Sequence, residues 1–404
     1  MGVLLCALVI SIVSTGLLVK LGARAGTLDS AGVAGQHKVQ RSVPNIGGIA
    51  IMLAMVLPMI GAAMLSTLSA SSSLLTPGSL LAPLAPHISG LASVQGPLIV
   101  LIASVLALHA MGLVDDRRPM KAWPKLLLMA LPAIALALTP GTRLLTALDS
   151  VVGGSWLSLI ITVIWFLVIT NALNFLDNMD GLSAGVAGIA SGVCMVGALT
   201  RQQWFVAVAS ALVCGACIGF LFWNFPWRKR GALIFMGDGG SLLLGFMLAL
   251  ISVRGTYASV PSDVLSAQTN ALASSIAGNL PSAWYVVLTP LVMLAVPLYD
   301  FVSVCVVRLR AGRSPMMGDR NHLSHRLTRR GLSPRNAVLT IYALTAITGC
   351  SALLLPSASG TGALLIAAQV AMVLAVVAML EFGGASPLAA YPNAGASSAE
   401  GGKR

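Results

Sequence analysis

The sequence predicts an all-α polytopic integral membrane protein of about 11 transmembrane helices, and three observations carry that expectation. Charged residues make up only 9% of the 404 and hydrophobic ones 57%, whereas a soluble domain carries about 25% charged residues. Apolar runs near the roughly 20 residues that a helix needs to cross a bilayer recur along the chain. The connections between those runs alternate between basic and nearly uncharged.

The spans fall near 2–20, 46–66, 97–114, 124–139, 155–173, 182–199, 203–223, 240–253, 284–307, 336–355 and 362–380. The first, VLLCALVISIVSTGLLV, has no basic leader and no small-residue cleavage site, so it reads as a retained span. The fourth and eighth are short and call for tilt or polar flanks. The sixth, GLSAGVAGIASGV, spaces Gly181, Gly185, Gly188 and Gly192 as close helix packing does. The stretch 67–96 is rich in Ser, Pro and Leu and is expected near the outer interface. The tail 383–404 reads as disordered, which leaves one transmembrane domain over 1–382. All six cysteines lie in apolar runs. Cys214 and Cys217 share a helical face without a further Cys or His, a packing pattern rather than a metal or redox pair.

Lys and Arg number four, four, three and eight in the connections 20–45, 115–125, 224–239 and 308–335; the opposite connections hold Arg143, Arg201 and Arg254. The positive-inside rule then puts the N-terminus outside and the basic loops in the cytoplasm, in a multi-pass protein of the cell inner membrane. Part of the +12 formal charge reads as a rim facing lipid headgroups, and no nucleic-acid partner is expected.

The acidic residues are few and placed with the basic ones. Asp115, Asp116, Asp238 and Asp319 fall in those connections, Asp177 and Asp180 lie between the fifth and sixth spans on the same expected face, and Asp300 lies near the inner end of the ninth span. Carboxylates at a membrane boundary are costly unless paired or metal-bound, so they point to function. Adjacent Asp115 and Asp116 repel unless a cation neutralises them. Mg²⁺ fits, with Mn²⁺ able to substitute, because it takes one or two carboxylates, keeps waters and accepts phosphate oxygens. Zinc fits less well without clustered Cys or His. In NALNFLDNMDGLSAG, three-residue spacing puts Asn174, Asp177 and Asp180 on one helical face, with Asn171 a further polar residue of the same stretch. Capping of the sixth span accounts for one of them. In MGDGGS, the glycines let backbone amides and Asp238 face a metal–phosphate ligand together. The last basic loop carries Arg308, Arg310, Arg313, Arg320, His322, His325 and Arg326, which read as a diphosphate clamp.

Carboxylates for Mg²⁺, a cationic loop and Gly-rich turns beside one leaflet suit phosphoryl transfer, in which positioning and charge neutralisation do most of the catalytic work. Two other classes compete. An intramembrane aspartyl protease would use Asp300 and Asp238, but the order of LYD and GD is reversed. A transporter of an anionic metabolite would place its polar groups near the midplane, commonly with inverted repeats; no repeat is seen and the polar groups gather at one interface.

The motifs, in this order, resemble the polyprenyl-phosphate N-acetylhexosamine-1-phosphate transferases (glycosyltransferase family 4) over roughly 1–335. HKVQRSVPNIGGIAI resembles that family's first cytoplasmic loop and GLVDDRR its Asp-Asp motif. NALNFLDNMDGL is similar to N-x-x-N-x-x-D-G-x-D-G-L, FWNFP to a stretch whose Asn contacts the nucleoside, and FMGDGGSLLLG to the motif whose Asp ligates Mg²⁺. The resemblance implies Asp238 and Asp115 as metal ligands and Asp115, Asp116, Asp177, Asp180, His322 and His325 as catalytic groups. It implies Asn171, Asn174, Asn224, Arg320 and Arg326 as substrate-binding. Two positions depart from the pattern: Asn178 stands for the usual Gly, and in GDRNHLSHRL Ser324 stands for the middle His of D-R-x-H-x-H-H. The loop lacks the His triplet of the muramoyl-pentapeptide enzymes, so the chain looks most like the undecaprenyl-phosphate GlcNAc-1-phosphate transferase type. The implied partners are a UDP-N-acetylhexosamine and a polyprenyl phosphate, in the first membrane step of an envelope polysaccharide such as lipopolysaccharide or teichoic acid. Peptidoglycan's muramoyl-pentapeptide transfer is the alternative. One-step attack and a covalent aspartyl route both stay open. The last two spans read as scaffold or as a homodimer contact.

Overall fold

A computed structural model describes residues 1–25, 43–67, 88–227, 231–257, 284–316 and 319–383. Most of the stretch expected at the outer interface, and all but the first residue of the tail expected to be disordered, lie outside these residues. The longer helices are α1 (Gly2–Ala25), α2 (Gly48–Leu65), α3 (Gln95–Arg117), α4 (Ala122–Ala137), α5 (Trp156–Leu176), α6 (Leu182–Thr200) and α7 (Trp204–Asn224). They continue with α8 (Asp238–Tyr257), α9 (Trp284–Met293), α10 (Ala295–Arg310), α11 (Leu323–Arg329), α12 (Pro334–Leu354) and α13 (Gly360–Phe382). No strand occurs among the described residues.

Each expected span coincides with a helix, and two differ in form. Among the described residues nine helices are long and apolar enough to cross a membrane by length and composition, or ten with a bent pair counted as one. That pair is the ninth span, which breaks at Leu294 with a 77° bend between its halves. Pro297 has no N–H to carry the helical ladder back across the break to Met293. The fourth, α4, has 16 residues, short of a full crossing. The chain is therefore an all-α polytopic membrane protein.

Helix α8 forms the centre: 89% of its apolar stretch is buried, against 17% for α1 and 11% for α13. It packs on α3 and α5, while α7 packs on α1 and α6, and α12 on α6. Small residues make this possible. A Cβ on Gly245 would come within 2.6 Å of the Thr170 Cα, and one on Gly215 within 2.4 Å of the Leu4 carbonyl oxygen.

The glycines of the sixth span divide. A Cβ on Gly185 would run into the Tyr342 ring, one on Gly188 would crowd Cys217, and one on Gly192 would make ordinary contact with Cys214. Gly181 is a turn residue instead, with φ at +80° just before α6. All six cysteines are free, and Cys214 and Cys217 are buried in the bundle.

Candidate active site

The C-terminal ends of α3, α5 and α7 meet the N-terminal ends of α4, α6 and α8 at one end of the bundle. Asp238 opens α8 immediately after Gly237, whose φ is +72°. Its backbone N–H donates to the Asp116 carboxylate, at 2.9 Å to Oδ2. Asp116 also accepts from the Asn45 amide at 3.4 Å. Asn45 is brought there by a short bridge in which Phe235 N–H donates to the Pro44 carbonyl and Gly47 N–H to that of Phe235.

Asp115 turns the other way. It accepts from the Met120 N–H at 2.7 Å and from Lys125 Nζ at 2.7 Å. The same ammonium lies 2.6 Å from Asp238 Oδ2, and the other Asp238 oxygen accepts from the Asn174 amide at 2.9 Å. So Asp115 and Asp238 share one cation, while Asp116 braces the backbone that carries Asp238.

The glycines around MGDGGS are packing residues. A Cβ on Gly112 would come within 2.5 Å of Gly239, and one on Gly48 within 2.4 Å of the Gly240 nitrogen. The Asp238 amide is taken by Asp116, that of Gly240 donates to the Gly237 carbonyl, and the Gly239 carbonyl faces His109 Nδ1 at 2.9 Å. This close packing of α8 on α2 and α3 sets where Asp238 points.

The aspartate motif also differs from the expected single helical face. Helix α5 ends at Leu176, Asp177 is its C-terminal cap residue, and Asp180 lies in the turn before Gly181. No side chain caps α6. A glycine at positive φ allows the tight return, so the two carboxylates leave the helix surface. Asp180 accepts from the Ala232 N–H at 3.0 Å. Asn174 alone stays on α5 facing Asp238, and it also donates to the Ser241 hydroxyl at 2.9 Å. Asn171 is buried and donates back to the Leu167 carbonyl within its own helix. Asn224 is a strut: its Oδ1 accepts from Gly181 N–H and its amide donates to the Ile234 carbonyl, both at 2.8 Å.

The expected diphosphate clamp separates into buried and exposed parts. His322 caps the start of α11, and its Nδ1 lies 2.9 Å from Oδ2 of the fully buried Asp300. A carboxylate at that distance accepts the Nδ1 proton, which leaves Nε2 as the basic nitrogen. The other Asp300 oxygen accepts from the Leu323 N–H at 2.6 Å, holding the N-terminus of α11.

Arg326 is 4% exposed and already committed. It lies 2.6 Å from the buried Glu381 of α13 and 2.6 Å from the Ser303 hydroxyl, and it donates to the Asn321 carbonyl. Arg308 is likewise buried and donates to the Pro315 carbonyl and to Asp319. Burial works against ionised Asp319, yet its hydrogen bond with Arg308 and that cation's charge hold its pKa below the usual carboxylate range. Arg320 is exposed. Burial first, then the neighbouring His322, Arg320 and Arg329, pushes His325 down to about 4, so it is neutral at physiological pH.

The sequence reading misses Lys125 altogether and, for Asp300, misses its partner. Lys125 sits among basic residues that the charge asymmetry explains, and its mark is a lysine in the first turn of an apolar helix. Asp300 had the mark of an acid inside an apolar span, but its partner stands 22 residues away. Among the described residues no three acidic, His or Cys side chains form a ready-made metal cage. Mg²⁺ needs only one or two carboxylates alongside water and phosphate oxygens. The Asp115–Asp238 pair, already holding a cationic nitrogen between its oxygens, fits that requirement.

Residues 98–256 match the profile of glycosyl transferase family 4. The chain is 30% identical over 390 residues to the decaprenyl-phosphate N-acetylglucosaminephosphotransferase of Mycobacterium leprae (strain TN), covering 92% of this chain and 88% of that protein. It is 32% identical over 254 residues to the Bacillus subtilis (strain 168) protein named "Probable undecaprenyl-phosphate N-acetylglucosaminyl 1-phosphate transferase". That match takes in 62% of this chain and 63% of the Bacillus protein, just under two thirds of its length. A phospho-N-acetylmuramoyl-pentapeptide-transferase of Acetivibrio thermocellus is 40% identical over 108 residues, covering 26% of this chain and 31% of that protein.

Proposed function

The chain belongs to glycosyl transferase family 4, and we propose that it transfers N-acetylhexosamine 1-phosphate from a UDP-sugar to a polyprenyl phosphate at the cytoplasmic face of the inner membrane. The products are polyprenyl-diphosphate-N-acetylhexosamine and UMP. An oxygen of the lipid phosphate bonds to the β-phosphorus of the UDP-sugar, and the bond from that phosphorus to the bridging oxygen breaks, the electron pair leaving with UMP. One phosphoanhydride is lost and one made, so the reaction runs near equilibrium.

The observation that carries this reading is the Asp115–Lys125–Asp238 group, with Asn174 on the far side of Asp238. Asp115 and Asp238 would hold Mg²⁺, with Mn²⁺ as a substitute. When bound, the metal ion supplies charge neutralisation for the diphosphate oxygens. Asn174 orients Asp238, and Asp116 fixes the backbone beneath it. Lys125 offers a cationic donor to a phosphate oxygen. The Asp177–Asp180 turn, which follows Asn174 at the end of α5, would take the nucleotide-sugar. His322, oriented by Asp300, accepts a proton from the lipid phosphate, and exposed Arg320 meets the anionic substrates as they enter.

UDP-N-acetylglucosamine is the favoured donor. The long match is to an enzyme named for N-acetylglucosamine phosphate transfer, whereas the muramoyl-pentapeptide enzyme matches about a quarter of the chain. The test uses purified protein with Mg²⁺, undecaprenyl phosphate and a panel of UDP-sugars, with UMP release as readout. UMP from UDP-N-acetylglucosamine is expected; a folded preparation that releases none from any sugar would overturn the reading.

A further inference from the structure

The two positions at which the chain departs from the motifs it resembles touch one another. Asn178, where those motifs carry glycine, lies in the turn after α5; Ser324, where they carry the middle histidine, lies in the first turn of α11. They are 146 residues apart, and the Ser324 hydroxyl donates to Asn178 Oδ1 at 2.5 Å. The Asn178 amide nitrogen donates to the Phe175 carbonyl at 2.7 Å, which sets the oxygen of that amide towards Ser324. Ser324 is 1% exposed, so its hydroxyl must find a protein acceptor. Beside this contact the Phe175 ring meets His322 edge-on, with centroids 5.7 Å apart, and carries the Arg308 guanidinium 5.0 Å over its face.

We propose that Asn178 and Ser324 form one compensated pair of positioning residues that holds the Asp177–Asp180 turn in register with the His322–His325 helix. Size and polarity both require the two residues to change together. A glycine in place of Asn178 would leave the buried Ser324 hydroxyl without its acceptor. An imidazole in place of Ser324 would meet the Asn178 side chain in a space where serine is already covered. On this proposal glycine with histidine would fill that space as asparagine with serine does, and the mixed pairs would not. The pair thus does in this chain what a glycine–histidine pairing would do, and leaves one fewer titratable ring between His322 and His325.

The kinetic side of this inference rests on the transferase reading. The test is a cycle of Asn178→Gly, Ser324→His and the double variant, with Ser324→Ala and Ser324→Thr alongside, measuring kcat, KM for the UDP-sugar and melting temperature in detergent. Misplacement of reacting groups by about 1 Å costs up to about a hundredfold. Asn178→Gly, Ser324→Ala and Ser324→His should each lower kcat by about tenfold, with KM changed by no more than about twofold. Ser324→Thr should keep most of the activity, and Asn178→Gly combined with Ser324→His should recover to within about threefold of the parent. Losses that multiply in the double variant would overturn the proposal. So would losses confined to melting temperature, with kcat per folded enzyme unchanged. A parent protein that releases no UMP refutes the transferase reading instead; the pairing is then upheld if the melting-temperature changes are non-additive and overturned if they add.

Discussion

Two clusters of opposite design share one end of the bundle. In the first, Asp115, Asp116 and Asp238 carry three carboxylates against the Lys125 ammonium, and the side chain of Asp238 is 29% exposed. In the second, Asp300, Asp319 and Glu381 are met by Arg308, Arg326 and the His322 ring, with Asp300, Arg308, His322, Arg326 and Glu381 all buried. The first has negative charge to spare and an opening, which is what a cation and a diphosphate need. The second is closed, and it holds α11 and the His322 ring in place. The end of α5 joins them, through Asn174 to Asp238 and through Asn178 to Ser324. Charge alone therefore does not mark where a cation and a diphosphate bind; surplus charge with access does.

Asp238→Asn is the strongest way to break this contrast. It keeps shape and the contact with Asn174 while removing one of the two charges around Lys125. Turnover should fall on the order of a hundredfold or more, as when an electrostatic contact to the transition state is lost. The melting temperature should move little, because the site is partly solvated. UMP release and a thermal melt on one preparation check both. Near-normal turnover would remove Asp238 from the chemistry.

Glu381→Gln probes the closed cluster and should behave the opposite way. Removing one member of a buried ion pair costs about 3–5 kcal/mol, because the partner charge stays behind. Arg326 would then keep only the more distant Asp300 carboxylate, at 4.0 Å in place of 2.6 Å. The melting temperature should drop by several degrees, with activity lost only in step with folded protein. A selective loss of kcat at unchanged stability would show that the two clusters do not divide as described. The result also bears on the last span, which joins the His/Arg cluster by way of Glu381 rather than standing apart as scaffold.

Lys125→Gln sharpens the account of the open cluster. The shared pair goes from two carboxylates and one ammonium to two carboxylates alone. One unit charge at about 4 Å is worth about 1 kcal/mol in water-like surroundings, so half-activation should need on the order of fivefold less Mg²⁺. Maximal turnover should still fall, since a cationic donor is gone. A Mg²⁺ titration of activity checks the first part, and an unchanged half-activation concentration would place the cation elsewhere.

Much of this was legible in the sequence, and the misses have a common cause. Hydrophobic runs marked every span because burial in lipid acts on composition along the chain. The groups near Asp115, Asp177 and Asp238 were legible because acids are rare beside apolar runs. Contacts across long separations were not: Lys125 with Asp238, Asp300 with His322 and Arg326 with Glu381 each join residues on different helices. The same limit hid the end of α5. Three-residue spacing suggested one helical face through Asp180, but the backbone leaves the helix at Asp177 and returns at Gly181. The motifs group Arg326 and Asn224 with substrate-binding residues, whereas in the fold Asn224 joins Gly181 to Ile234 and Arg326 joins Glu381, Ser303 and Asn321.

The smallest expected effect concerns His325, at the border of the closed cluster. Its folded pKa is about 4, set first by burial and then by His322, Arg320 and Arg329, with Asp300 opposing. The unfolded chain's histidine titrates near about 6.5. Between these values the unfolded state takes up a proton that the folded state refuses, so stability is full above the ordinary histidine range and is lost as pH falls towards about 4. His325→Gln should flatten that part of the curve. Thermal melts at about pH 7 and about pH 4.5, on either side of the ordinary histidine value, would show a smaller drop for the variant than for the parent. An equal drop in both would mean that His325 takes its proton as readily as an exposed histidine, and that the closed cluster ends before it.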